Sequence, residues 1–358
     1  MVMRWLLVDR SRAPLRAKAA LTLGVLVLAI LGSGCPCMHG AVNASPGLRW
    51  WLFANFGASK ICPEMLKRGM GLHLQDRGPT VGRFFPAQCS VDVNGDRNTI
   101  TVNFAGTGYA FTTLTRRVGF STVASVEYRP DFYLDEQDIY VWGRVNRVIN
   151  GPSFRLGYVE NPVADVATAI TPLGAVANLF GNQIVTGELT QGFTVVQSTS
   201  KGTDFTLGTL NPPLKPHHPF DVSHSEFFTF ANEITEIRAN QMDFLGPFEV
   251  VSNGQYLLMT SSLDGPALDI MIVDKITGDA WREAYQTGRP IAPPPGPILQ
   301  GGVLNPGPSQ LRYPLGPGRY YVVVDNSPYI GMVAPRGFVI PGLPEAVARL
   351  SYVAQLAE

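Results

Sequence analysis

Charged side chains are scarce in this chain: Asp, Glu, Lys and Arg together make up 16% of its 358 residues, against 45% apolar. There is no stripe of Lys and Arg to neutralise phosphates, so nucleic acid is not an expected partner. Long apolar runs are missing too. The one sustained run, Ala19–Leu31, is too short to span a bilayer as a helix. Catalytic signatures are equally sparse. No Gly-x-Ser-x-Gly elbow and no His-Glu-x-x-His helix occurs, and Ser198-x-x-Lys201 falls in a turn-forming stretch rather than opening a helix. Gly106-Thr-Gly108 runs into Tyr109-Ala-Phe111 and makes no phosphate-binding loop. No internal repeat is present. These absences point to no reaction and no cofactor.

What is present starts at the N-terminus. A basic segment (Arg4, Arg10, Arg12, Arg16, Lys18) precedes the apolar run, and Gly32-Ser33-Gly34-Cys35 follows it. That order reads as a secretory signal peptide, residues 1–34, and implies export. The ending Leu31-Gly32-Ser33-Gly34-Cys35 resembles the lipobox of bacterial lipoproteins, although the leucine stands one residue further back than in the usual pattern. The resemblance implies that Cys35 is diacylated and becomes the mature N-terminus. With Pro36 rather than an aspartate after it, it also implies an outer-membrane location, facing the periplasm or the cell surface. Two or three acyl chains hold a protein stably where one is marginal. An ordinary cleavage after Val42-Asn43-Ala44, releasing a soluble periplasmic or secreted protein, remains the alternative.

Without residues 1–34 the chain keeps 324 residues, with 23 basic and 27 acidic side chains. It is mildly acidic and long enough for two domains. Cys37, Cys62 and Cys89 remain besides Cys35. In an oxidising compartment Cys62 and Cys89 are the expected disulfide pair, leaving Cys37 free; the Cys35-x-Cys37 spacing is not that of a zinc site.

Residues 35–48 mix Pro, Gly, Ala, Asn and Ser without period and read as a tether. From Arg49 to Met70 apolar residues fall at helical spacing before Lys67-Arg68-Gly69, a helix stop. Trp50 and Trp51, so near the anchor, suit either a membrane interface or packing on their own domain. Most of residues 71–210 reads as β, with clean alternation in Thr99–Phe104 and a hairpin signal at Asn94-Gly95. One stretch breaks the pattern. Residues 162–185 carry a single charge and place Val166, Ile170, Leu173 and Phe180 on one helical face, to fill a core or line a pocket for an apolar ligand. Residues 211–224, with four prolines, read as an interdomain linker. Residues 225–358 resume as strands in the manner of a β-sandwich. Within them Leu315-Gly-Pro-Gly-Arg-Tyr-Tyr-Val-Val-Val-Asp-Asn326 resembles the turn-and-strand of bacterial extracellular jelly-roll modules of the pre-peptidase C-terminal type. The Pro/Gly-rich residues 288–308 read as an inserted surface loop.

The expected fold is therefore mainly β with a minor helical part: an antiparallel curved sheet with a packed apolar helix in residues 49–210, then a β-sandwich. The densest group of ligand-type side chains is His217, His218, Asp221 and His224, but the prolines around them keep the stretch extended, and no metal is expected. Asp92-Val-Asn94-Gly-Asp96 matches the first ligand positions of a calcium loop yet has Arg97 where that loop needs glycine, so a hairpin turn explains it. The expected role is that of a non-catalytic envelope lipoprotein, a binding or scaffold module held at the membrane through Cys35 and engaging an envelope protein. Capture of an apolar ligand, or a hydrolase site assembled from distant residues around a histidine such as His73, are the rival readings.

Overall fold

The computed structural model describes residues 36–73, 78–112, 116–135, 138–160, 191–198, 202–207, 220, 227–333 and 346–358. The fold is mainly β with few helices. Three helical pieces come first: α1 (Pro36–Ala44), α2 (Pro46–Leu52) and, after a π-helical turn over Phe53–Gly57, α3 (Ala58–Met65). Ser45 caps α2, accepting from the backbone N–H of Leu48, with Pro46 at the first helical position. Residues 36–44 are thus helical rather than an irregular tether. Val42 is buried in the core, and the Asn43 side chain donates to Leu134 O and accepts from Leu134 N, at 2.8 and 2.9 Å. A local composition of small residues gave no hint of these contacts, which lie 91 positions away in sequence.

Strands β1 (Met70–His73), β2 (Thr80–Asn94), β3 (Thr99–Thr112), β4 (Arg116–Leu134), β5 (Asp138–Val159), β6 (Phe193–Ser198) and β7 (Gly202–Leu207) form an antiparallel meander. Pro86 lies inside β2, which is bulged between Pro86 and Gln88 because proline cannot donate to the ladder. The Asn94-Gly95 hairpin is present, but as a four-residue turn. Asn94 pairs with Thr99, its side chain accepts from Arg97 N, and the positive φ falls on Asn98. The buried face of the meander closes over α2 and α3 with Phe53, Ile61, Met65, Ile100, Val102, Phe120, Tyr128 and Phe193 in one core. Cys62 and Cys89 form the expected disulfide, Cα–Cα 5.4 Å, joining α3 to β2. Replacing both by alanine is expected to cost about 3 kcal/mol, the chain entropy of opening a loop of this length. Urea midpoints and non-reducing peptide maps check this, and an unchanged midpoint would show that the helix is held by packing alone.

In the second half, β8 (Phe228–Ile237), β10 (Tyr256–Asp264), β13 (Gly307–Pro314) and β15 (Ala348–Ala357) lie in the order β13-β10-β15-β8. Facing them, β9 (Gln241–Val250), β11 (Leu268–Asp274), β12 (Gln300–Leu304) and β14 (Gly318–Asn326) run β12-β11-β14-β9. Phe230, Leu257, Met259, Ile270, Val322, Val324 and Leu350 fill the space between, so this half is a sandwich. The Pro/Gly-rich stretch 288–308 is not all loop, since β12 lies within it.

The two halves are not separate sheets. Thr80 of β2 pairs in parallel with Thr235 of β8, which makes the meander and one sandwich sheet continuous. A helix absent from the sequence-based expectation, α4 (Lys275–Gln286), wedges between β3–β4 and the outer face of β9–β14. Phe85 and Tyr109 meet Phe244, Trp281, Tyr285 and Tyr321 there in a third core. This explains why Tyr321-Val-Val-Val324 is apolar without alternation: Val322 and Val324 face the sandwich while Tyr321 and Val323 face α4. Gly119 is required where α4 ends, because a Cβ there would lie 1.8 Å from Gln286 O.

Candidate functional site

A network of buried polar side chains occupies the junction of the halves. Arg83 of β2, 2% exposed, points into it. Its Nε and Nη2 grip Asp243 of β9 in a bidentate pair at 2.7 and 3.0 Å, and Nη2 also donates to Glu233 of β8 at 2.8 Å and to Tyr352 of β15 at 3.2 Å. Hydroxyls fill the remaining lone pairs. Tyr109 and Thr235 donate to Asp243 at 2.7 and 3.0 Å, Tyr352 donates to Glu233 at 2.8 Å, and Tyr109 Oη accepts from Phe244 N at 2.8 Å. The local fold dictates this convergence. Arg83 sits opposite Tyr109 in the β2–β3 register, and the Thr80–Thr235 pair places β8 beside them.

The electrostatics are those of a closed network. Burial opposes charge on Arg83, but Asp243 and Glu233 outweigh it and hold the guanidinium charged well above its ordinary range. Burial alone would raise Glu233; Arg83 overrides it and brings the carboxyl down to about 2. Burial, then the neighbouring carboxylate, keeps Tyr109 and Tyr352 protonated as donors.

A cavity of about 50 Å³ abuts this network, walled by Arg68, His73, Phe205, Asn232 and Phe248 besides Arg83 and Glu233. That is room for a few waters, well below the several hundred Å³ of a small-molecule site. His73, opposite Thr80 in the β1–β2 pairing, lies 3.4 Å from Thr80 Oγ1. Thr80 is 1% exposed, so its hydroxyl is not placed to meet a substrate carbonyl. Outward from the cavity lies a groove of about 190 Å³ lined by Phe205, Phe228 and Phe230, with exposed Val251 and the charged Glu64, Lys67 and Arg319 also bordering it. It follows the line where β7, the end of the sheet order, comes alongside β8. Arg68 spans that line, donating to Phe230 O and, at 3.4 Å, to Phe205 O.

A second buried acid group lies in the sandwich, where Asp269 of β11 stands opposite Asp325 of β14. Asp269 accepts from Met332 N and Val333 N, both at 2.9 Å, which folds the loop after β14 onto it. Asp325 accepts from Ser327 Oγ at 2.9 Å, and its other oxygen has no partner among the described residues. Burial, with a smaller push from Asp269, drives Asp325 up to about 7.

Of the residues singled out from sequence, Cys62 and Cys89 are bonded to each other. Cys35, the helix face Val166, Ile170, Leu173 and Phe180, and the cluster His217, His218, Asp221 and His224 lie outside the described residues. The Arg83 network went unpredicted. Its signal was available as lone charges inside apolar strands, Val81-Gly-Arg83-Phe-Phe85 and Met242-Asp243-Phe-Leu245, which only a buried partner explains. Comparison with models of known protein families and with the sequences of curated proteins finds no match.

Proposed function

We propose that the protein is an exported envelope lipoprotein, anchored through Cys35, that acts as a non-catalytic binding or scaffold module. The Cys62–Cys89 disulfide carries the reading, since such a bond belongs to an oxidising compartment outside the cytosol. A scaffold role is supported by the junction chemistry. Arg83, Asp243, Glu233, Tyr109 and Tyr352 are committed to one another, which suits a rigid two-lobed body better than a reactive centre. The groove beside β7 and β8 supports binding of a protein side chain over capture of a lipid, being too small for an acyl chain and rimmed by charges of both signs.

The anchor is tested by Cys35→Ser. The variant is expected to lose acylation, read by mass spectrometry, and to leave washed membranes for the soluble fraction, since no helix among the described residues is long and apolar enough to cross a bilayer. Retention of the variant on membranes after a high-salt wash would remove the lipid-anchor reading.

A further inference from the structure

The helices that follow the anchor position present an outward stripe whose composition is that of a membrane surface contact. Leu48, Trp51, Phe56 and Leu66 are 38–41% exposed and recur at steps of three to ten along one side of the α2–α3 rod. Leu48 and Trp51 are three apart, Phe56 lies in the π-helical turn, Leu66 caps the end of α3, and none of the four enters the core. The opposite face, through Phe53, Ala58, Ile61 and Met65, is the buried one. Trp50 and Trp51 therefore divide their work. Trp50 packs against the core and against Phe53, while Trp51 turns outward and meets Phe56 edge-on at 5.9 Å.

Exposed aromatics alone would not name an occupant, but three further observations do. First, the exposed polar residues beside the stripe turn a donor back onto the helix. Asn55 Nδ2 donates to Trp51 O at 2.7 Å and Ser59 Oγ to Phe56 O at 3.4 Å, which lowers what these two donors lose on leaving water. Second, the segment carries no unpaired acid. From Pro36 to Pro63 there is no Asp or Glu, Glu64 beyond it is paired with Lys67, Arg49 is paired with Asp131 of β4, and Lys60 is exposed, in a chain that is mildly acidic after residue 34. A surface that approaches anionic headgroups must present no free negative charge. Third, the stripe lies where the chain meets the membrane. The apolar run ends at Leu31, Pro36 heads a nine-residue helix about 14 Å long, and that helix is docked by Val42 and Asn43 rather than swinging on a tether.

We infer that Leu48, Trp51, Phe56 and Leu66 rest in the headgroup region of the bilayer, so that the protein lies against its membrane in a fixed orientation. This rests on the anchored reading above; the stripe orients what the acyl chains hold, and it is too small to retain the protein by itself. Trp51 takes the interfacial position for which tryptophan is suited, its ring amphipathic and its neighbours apolar.

The test uses the lipidated full-length mature protein reconstituted into phosphatidylcholine–phosphatidylglycerol vesicles with acyl chains brominated near the carbonyl. Flotation reads the anchor and tryptophan quenching reads the contact. The parent is expected to float and to show quenching, and Trp51→Phe is expected to float equally while losing more than about half of that quenching, since Trp50 is packed against the core and Trp142 and Trp281 belong to other elements. Phe56→Ser keeps the reporter and is expected to weaken quenching with flotation unchanged. A parent that floats without quenching, or quenching that survives in Trp51→Phe, overturns the contact while leaving the anchor intact. Failure of the parent to float overturns the anchored reading instead.

Discussion

Arg83→Met is expected to be the most damaging single substitution in the described part of the chain. It leaves the buried carboxyl of Asp243 and the partly buried one of Glu233 without their cation, and breaking a buried ion pair in this way costs about 3–5 kcal/mol. Set against a total stability of roughly 5–15 kcal/mol, that loss empties much of the folded state. Arg83→Lys is expected to rescue little, because an ammonium cannot reproduce the two-pronged contact with Asp243 together with the bonds to Glu233 and Tyr352. The triple change Arg83→Met, Asp243→Asn, Glu233→Gln removes the orphaned charges and is expected to recover a large part of the loss. Guanidinium unfolding of the three variants decides the matter. An Arg83→Met protein within about 1 kcal/mol of the parent would mean that the apolar cluster around α4 alone holds the halves together.

That junction is also where sequence reasoning ran out, for a physical reason. The strands were legible because their signal is local: alternation in Thr99–Phe104, the turn at Asn94-Gly95, the apolar run Tyr321–Val324. The disulfide was legible because only one sensible pair was left once Cys35 was set aside. The continuity of the two sheets depends on a single parallel pairing, Thr80 with Thr235, across 155 positions, and no periodicity encodes it. Helix α1 failed for a related reason, since its anchoring atoms are the backbone of Leu134, in another element. Helix α4, by contrast, was overlooked rather than hidden. Asp274 accepts from Thr277 N as its cap, Gly288 follows its end, and Thr277, Trp281 and Tyr285 mark the buried face at steps of four. The candidate site was the least legible part, because its members Arg83, Tyr109, Glu233, Asp243 and Tyr352 come from five strands and each looks unremarkable within its own.

The acid pair of the sandwich gives a pH dependence of the opposite sense to that of ordinary acid denaturation. Glu233, held at about 2, supports the fold above the unfolded carboxyl range and withdraws that support only as the pH falls toward 2. Asp325 is pushed up to about 7, so between about 4 and 7 the folded chain carries a proton that the unfolded chain has released. The unfolded state then binds fewer protons, and stability falls as the pH rises through this window and levels off above it. A displacement of about three pH units corresponds to at most roughly 4 kcal/mol lost from this one group. Asp325→Asn keeps an oxygen for Ser327 and supplies a neutral side chain, in effect the protonated form at every pH. The variant is expected to match the parent near pH 4 and to exceed its stability by a few kcal/mol at pH 8, with a flatter profile between. Urea midpoints of both proteins across this range measure the difference directly, other titrating groups cancelling between them. Parallel profiles would show that Asp325 ionises at its ordinary value and that the strand pair β11–β14 tolerates two charges side by side.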